Sequence, residues 1–322
     1  VLNRIASVAR KTPANTASHR LRGIFFKGRM SILASAVLWG TSGIASSLAP
    51  TDASMAAIGC AGLAIGGTLL FLTSRAARSL PVTCAAGERR FLVMGALAVA
   101  GYPLTFYASV ARTGVAVATV VALGSAPVFS GLLSWITGKS RPTAHWTAAA
   151  TAAVLGCSLL ILGPSFKAQA TPIDLSGVML AAGAGLSYSV YSLICGKFIV
   201  AGYRSDAVMG VMFGAAAILV LPVSLLSDND WITTLRGVAV AAYIAFFTVY
   251  LAYRLFGFGL RYTTPSTATV LTLAEPAVAT ALSIAILDEH LSFGSWCGLA
   301  ILIVGLLLLS STKNADSTTA DP

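Results

Sequence analysis

The sequence predicts an all-α integral membrane protein, with ten transmembrane helices arranged as two inverted five-helix repeats. Three observations carry this. The chain is 57% hydrophobic and 10% charged, with a mean hydropathy of +0.84, whereas soluble domains carry about 25% charged residues. Its apolar residues collect in segments near the ~20 residues that a bilayer requires. The two halves also match at one offset. Arg112 and Arg261 differ by 149, as do Pro127 and Pro276, Leu133 and Leu282, Ser134 and Ser283, and Gly156 and Gly305. An odd number of spans per repeat turns the second copy upside down in the membrane.

Taken in order, residues 1–30 form a basic tail. It holds Arg4, Arg10, Lys11, Arg20, Arg22, Lys27 and Arg29 and no acid. An organelle transit peptide has the same composition, but a cytoplasmic tail fits the positive-inside rule. The expected spans lie at about 31–49, 55–73, 91–110, 115–137 and 145–163, which make a first repeat over 31–163. Those at about 175–195, 206–226, 238–258, 265–287 and 293–311 make a second over 175–311. Residues 312–322 are a polar tail. With the N-terminus inside, the cytoplasmic loops hold Arg75, Arg78, Arg89, Arg90, Lys139, Arg141, Lys197, Arg204, Arg261 and Lys313. The external loops hold only Arg112, Lys167 and Arg236. This bias predicts a multi-pass cell-membrane protein with both termini in the cytoplasm.

The net charge of +10 lies in the tail and in short loops between apolar spans. That pattern matches a lipid bilayer surface and excludes a nucleic-acid partner. The five cysteines show no paired spacing and His19, His145 and His290 are dispersed, so neither a disulfide nor a metal site is expected. No phosphate loop or nucleotide motif is present, and no cofactor or catalytic residue is expected. A homodimer stays open.

The chain is organised around residues 265–292, PSTATVLTLAEPAVATALSIAILDEHLS. Glu275 and Pro276 sit near the middle of this apolar run, and Asp288, Glu289 and His290 close it. A carboxylate at mid-bilayer costs ~2.5 kcal/mol or more and faces a cavity or a partner. Proline beside it removes a backbone hydrogen bond. Glu275 therefore either carries protons or holds an ammonium group, or else accepts hydrogen bonds from a neighbouring helix. In the eighth span Tyr243, Phe247, Tyr250 and Arg254 fall on one helical face. They either line a pathway or anchor at the interface, with Arg254 snorkelling. Trp39, Tyr102, Tyr188 and Tyr191 lie near mid-depth, where a polar ring edge seeks a partner. Gly59, Gly62 and Gly66, with Gly210 and Gly214, suit close helix packing.

At these residues the chain resembles the EamA type of the drug/metabolite transporter superfamily. The resemblance rests on LWGTSGI at 38–44, GSAPVFSGLLSW at 124–135 and AEPAVATALSIAILDEHLS at 274–292. It covers about residues 31–311. It implies a central cavity between spans 1, 3, 4, 6, 8 and 9, which would make Trp39, Tyr102, Tyr188, Tyr191, Tyr250 and Glu275 contact substrate. It also gives Pro127, Pro276 and Glu289 gating or structural places, beside Arg254, which takes such a place by its position near the end of the eighth span. One departure is clear. The first repeat ends in TGKSRPT at 137–143, with cations where the family often has an acid.

The expected function is secondary transport of small organic solutes by alternating access. The resemblance implies amino acids or related metabolites as cargo and efflux as the direction. A non-transporting scaffold or sensor is the alternative class. A membrane enzyme would need convergent catalytic groups, and away from their ends the predicted spans hold only Glu275 and Arg254 as strongly ionisable residues.

Overall fold

The computed structural model describes residues 14–50, 53–137, 142–162, 174–227, 229–287 and 291–311. Among them there are helices and turns and no strand. The helices are α1 (Ala14–Gly40), α2 (Ser42–Ser47), α3 (Met55–Thr73), α4 (Arg75–Thr83), α5 (Ala86–Ile136), α6 (Ala144–Leu162), α7 (Leu175–Val200) and α8 (Ser205–Leu226). A 3-10 turn at Asp230–Thr233 leads into α9 (Leu235–Tyr243), a π-helical segment (Ile244–Leu251) and α10 (Ala252–Gly259), which form one continuous rod. Then come α11 (Pro265–Leu271), α12 (Ala274–Leu287) and α13 (Phe293–Ser311). Eight of the described helical stretches are long and apolar enough to cross a membrane, and α13 is a shorter apolar helix.

Local chemistry sets these ends. Ser54, Ser74, Asp174, Thr234 and Thr264 each cap a helix by accepting a backbone N–H, and Pro265 follows its cap at the first helical position, where its missing donor costs nothing. Two bonds from the Ser176 amide and hydroxyl hold the Asp174 carboxyl below the usual carboxylate range.

The 51-residue α5 is two helices. Gly114 has a φ of +78°, which glycine adopts without steric cost. Before it, contacts with α7 run in opposite register: Ser109 bonds the Gly177 carbonyl, and Gly101 faces Ser187. After it they run in the same register: Gly185 faces Ala122, and Ser189 bonds the Ala126 carbonyl. The chain therefore folds back on itself at Gly114.

The halves are related by an exchange that shifts both partners of several contacts by 149. Gly156 lies against Leu302 and Gly298, and Gly305 lies against Ala153 and Ala149. Each set is the image of the other. Similarly, Gly40 abuts the Glu275 carbonyl oxygen, while Ser189 donates to the Ala126 carbonyl at 2.7 Å. Trp39 and Tyr188 are images of one another and touch, edge to face, at 6.4 Å. A residue pair that is its own image lies on the axis relating the copies.

The axis inverts them. At one end of the bundle, the near end, the middle of α1 meets the end of α10 (Gly28 against Gly259), and the end of α7 meets the start of α11 (Gly196 against Pro265). α1 leaves that end and its counterpart α7 arrives there. The opposite end is the far end.

Several boundaries differ from the sequence expectation. The first helix begins at Ala14, so the basic tail is helical from there on. The loop at 74–84 contains α4, an amphipathic helix with Ala77 and Leu80 buried and Arg75 and Arg78 exposed. The expected single helix at 265–287 is interrupted. Pro276 has no N–H for the Thr272 carbonyl, and the Glu275 N–H bonds that carbonyl instead at 3.0 Å. This tightens the turn between α11 and α12. Pro127 lies in a helix that stays continuous.

Candidate functional site

Rings from several helices meet around the axis. Trp39 of α1 lies 5.0 Å from the ring of Tyr253 and 5.6 Å from that of Phe256. Tyr188 of α7 sits edge-on to Tyr102 at 6.4 Å and tilted against Tyr191 at 5.3 Å. Tyr102 stacks on Phe106 at 5.8 Å, and Tyr253 packs on Phe213 at 4.1 Å. Offset and edge-to-face pairs of this kind contribute ~0.5–1.5 kcal/mol beyond burial. The polar edges are engaged. Trp39 Nε1 donates to the Thr248 carbonyl at 2.8 Å. The Thr272 hydroxyl donates to the Thr269 carbonyl, so its contact with Tyr188 at 2.9 Å has the tyrosine as donor. That bond joins α7 to the broken turn before Glu275.

Glu275 opens α12 beside this cluster, near enough to the hydroxyls of Tyr102, Tyr188 and Tyr253 for electrostatic interaction. Among the described residues its carboxylate has no hydrogen-bond or ion-pair partner. It keeps partial solvent accessibility, as do Trp39, Tyr102 and Tyr253, while Tyr188, Tyr191 and Phe256 are buried. Among the described residues no neighbouring helix donates to Glu275, as the structural role expected of it would require.

Of the sequence-predicted residues, Trp39, Tyr102, Tyr188 and Tyr191 come together beside Glu275. Tyr250 does not join them. Its ring packs on Phe246 at 5.4 Å, and its hydroxyl accepts from the exposed Arg254 at 3.1 Å. The cause is the π segment, whose i→i+5 bonds widen each turn and rotate the residues that follow. Tyr253 and Phe256 face the axis in its place. One signal could have found Phe256: it lies 149 after Tyr107, as Tyr188 does after Trp39. Pro276 lies at the break and Pro127 within α5, both buried. Glu289 lies outside the described residues.

The two ends of the bundle differ. At the far end a crevice of about 480 Å³ is lined by Thr41, Ile44, Ala45, Leu48, Arg236, Ala239, Val240, Tyr243, Leu282 and Ile286. At the near end a pocket of about 30 Å³ is lined by Glu88, Phe91, Lys197, Phe198 and Ala201, and two of these are images of residues lining the far-end crevice. Phe91 is the image of Val240, and Lys197 that of Leu48. There the Lys197 ammonium stands 3.7 Å over the Phe91 ring, and the Tyr203 hydroxyl donates to Glu88 at 2.6 Å. That bond pushes the Tyr203 hydroxyl pKa up from its ordinary value.

Comparison with known proteins follows the same division. The EamA-like transporter family matches twice, over residues 26–162 and 175–311. The chain is 38% identical over 287 residues to the uncharacterized transporter YwfM of Bacillus subtilis (strain 168), covering 89% of this chain and 95% of that protein. It is 30% identical over 146 residues to an uncharacterized transporter of Clostridium kluyveri (strain ATCC 8527 / DSM 555 / NBRC 12016 / NCIMB 10680 / K1), covering 44% of this chain and 47% of that protein. A solved crystal structure shares its fold with a TM-score of 0.74 at 19% identity, over 87% of this chain and 95% of the other. By its duplicated helical repeat and this match over both halves, the chain belongs to the EamA-like transporter family and is a membrane transporter, not an enzyme.

Proposed function

We propose that this transporter is a secondary carrier with ten spans that moves small organic solutes, amino acids or related metabolites, out across the cytoplasmic membrane by alternating access. The near end faces the cytoplasm in this reading, as the loop cations favour. Repeat 31–163 rocks against repeat 175–311 about the axis at Trp39 and Tyr188. Solute meets Glu275 and the rings of Trp39, Tyr102, Tyr188 and Tyr191, with Tyr253 in the place expected of Tyr250. Pro127, Pro276 and Glu289 belong to the moving parts, while Arg254 with Tyr250 stands outside the pathway.

The observation that carries this is the inequality of the two crevices. They share two image positions, Leu48 with Lys197 and Val240 with Phe91, yet one holds about 480 Å³ and the other about 30 Å³. Inverted repeats of similar sequence can exchange conformations, which turns an outward-open carrier into an inward-open one. A scaffold would need neither the crevice nor an acid at mid-span that has no partner among the described residues.

The test is exchange in proteoliposomes. Untargeted profiling of cells with and without the protein selects solutes, and vesicles preloaded with each are assayed for counterflow of labelled solute. Trans-stimulated exchange is the expected result. Absence of exchange for every selected solute, with folded protein present, overturns the proposal.

A further inference from the structure

We infer that the near end carries a docking surface for anionic phospholipid headgroups, formed by α4 and the first turn of α5. α4 is joined to the apolar spans α3 and α5 by one residue and two residues. It therefore lies at the depth where those spans end, which is the headgroup layer. One of its faces is committed to protein. Ala77, Leu80 and the following Cys84 are buried, Ala77 faces Gly210 of α8, and Ser74 at the cap donates to Asp206 at 3.0 Å. The other face is open. Arg75, Arg78 and Val82 follow at three and four residues, one helical side, and all three are exposed. Cations beside an exposed apolar residue are what an interfacial helix presents to lipid.

Arg89 and Arg90, also exposed, extend the surface. The acid among these cations, Glu88, is engaged by the Ala85 amide and the Tyr203 hydroxyl. Arg78 and Arg89 each donate to one backbone carbonyl, Leu72 at 3.4 Å and Val82 at 3.2 Å. Those bonds seat the guanidinium groups at the ends of α3 and α4. Each keeps most of its five donors, in a planar fork that matches phosphate oxygens. Leu72 is itself exposed on α3, so a phosphate held at Arg78 has an apolar helix side below it for acyl chains.

The repeat supplies the comparison. The images of Arg75, Arg78, Arg89 and Arg90 are Ser224, Ser227, Val238 and Ala239. Residues 75–90 hold these four cations and one acid, while their image, 224–239, holds Arg236 and two acids, Asp228 and Asp230. One frame is thus basic at one end and not at the other. Inside-positive orientation would be met by cations anywhere in the near-end loops. Here four gather on one surface helix and the turn beside it, the arrangement that draws anionic lipid.

The experiment measures lipid selectivity at two image-related ends of the bundle. Full-length protein with its five native cysteines replaced carries a fluorophore at Ser79→Cys on α4, or at Val238→Cys at the far end. It is reconstituted in equal parts of phosphatidylglycerol and phosphatidylcholine, with bromine quencher on the acyl chains of one or the other. At residue 79, brominated phosphatidylglycerol is expected to quench at least threefold more than brominated phosphatidylcholine, and at residue 238 the two should quench alike. Raising salt from about 0.1 to about 0.5 M should reduce the preference by screening. Arg75→Gln with Arg78→Gln and Arg89→Gln should abolish it. Lys27→Gln with Arg254→Gln and Arg261→Gln, which removes as much charge from the same half of the bundle, should leave it. Melting curves check that both triple variants are folded. If the first is not, the comparison of residues 79 and 238 on unaltered α4, with its salt dependence, decides. Equal quenching at residue 79, the same preference at residue 238, or a preference kept by the folded first variant overturns the inference. So does loss of the preference in millimolar glycerol 3-phosphate, which would make the ligand a free phosphate instead of a lipid.

Discussion

Exchanging the residues of the two crevices should exchange their states. At the near end Lys197 lies over Phe91 at 3.7 Å; their images at the far end are Leu48 and Val240, which line the open crevice. A cation–π pair near a surface contributes ~0.5–1 kcal/mol, which at ~1.4 kcal/mol per tenfold is a factor of about 2–5 in the equilibrium between states. Lys197→Leu with Phe91→Val should therefore raise the inward-open population at least that much, since the lost ring area adds to it. The reporter is Ile194→Cys, in a background with the five native cysteines replaced. Ile194 is buried and is the image of Ala45, which lines the open crevice. When the outward-open state dominates, its labelling by a thiol reagent scales with the inward-open fraction, so the rate should rise about 2–5-fold or more. The converse pair, Leu48→Lys with Val240→Phe, should slow labelling of Ala45→Cys from the far end. Unchanged rates for both reporters would refute the latch, and a rise at both ends would point to loosened packing instead.

Three further outcomes follow from the same geometry. Gly156→Ala and Gly305→Ala each drive a methyl group into backbone of the facing helix; a Cβ at 305 would stand 2.6 Å from the Ala153 nitrogen. Overpacking costs ~1–3 kcal/mol, and the two losses should be alike in detergent unfolding, with the double variant costing less than their sum because both push the same two helices apart. A double-mutant cycle of Tyr188→Phe and Thr272→Val should return a coupling of ~0.5–1.5 kcal/mol for their hydrogen bond, and zero coupling in unfolding would remove the link between α7 and the broken turn. Reporter fusions after Lys313 should read cytoplasmic and those near Asp228 external; a C-terminal reporter found outside would overturn the orientation.

What was legible in the sequence was what repeats or what is costly. The 149 offset is written in side chains that sit at helix crossings, Gly156 and Gly305 above all, because only glycine fits where backbones touch. Glu275 and Pro276 were conspicuous because a charge and a missing donor are rare in apolar runs. Other features leave no such mark. At nine residues α4 is too short for a span, and its arginines read as loop cations. The π segment has no periodicity of its own, so the face of Tyr243, Phe247, Tyr250 and Arg254 was projected with α-helical spacing and Tyr253 was missed. That Glu275 has no partner among the described residues could not be read, since sequence gives its depth but not its neighbours.

The repeats share an architecture and differ in chemistry at one place. Ala126 and Glu275 are images, as are Pro127 and Pro276. Both carbonyls at 126 and 275 lie against the opposite copy, through Ser189 and Gly40. Yet the helix at Pro127 continues, while the helix at Pro276 breaks at Thr272, which the Tyr188 hydroxyl meets. Proline alone does not explain the break, because both copies have it. The difference lies in what surrounds each proline: the second copy has the threonine at 272 and an acid at 275, and the first has Leu123 and Ala126. A hydroxyl at 272 can receive a bond from the other copy in the open turn, whereas an alkyl group at 123 gains nothing from opening one. The symmetric frame thus supplies two exchangeable crevices, and the asymmetric substitution places a single acid beside the axis. Rocking the frame would alter which crevice approaches that one acid, without passing a solute between two charged stations.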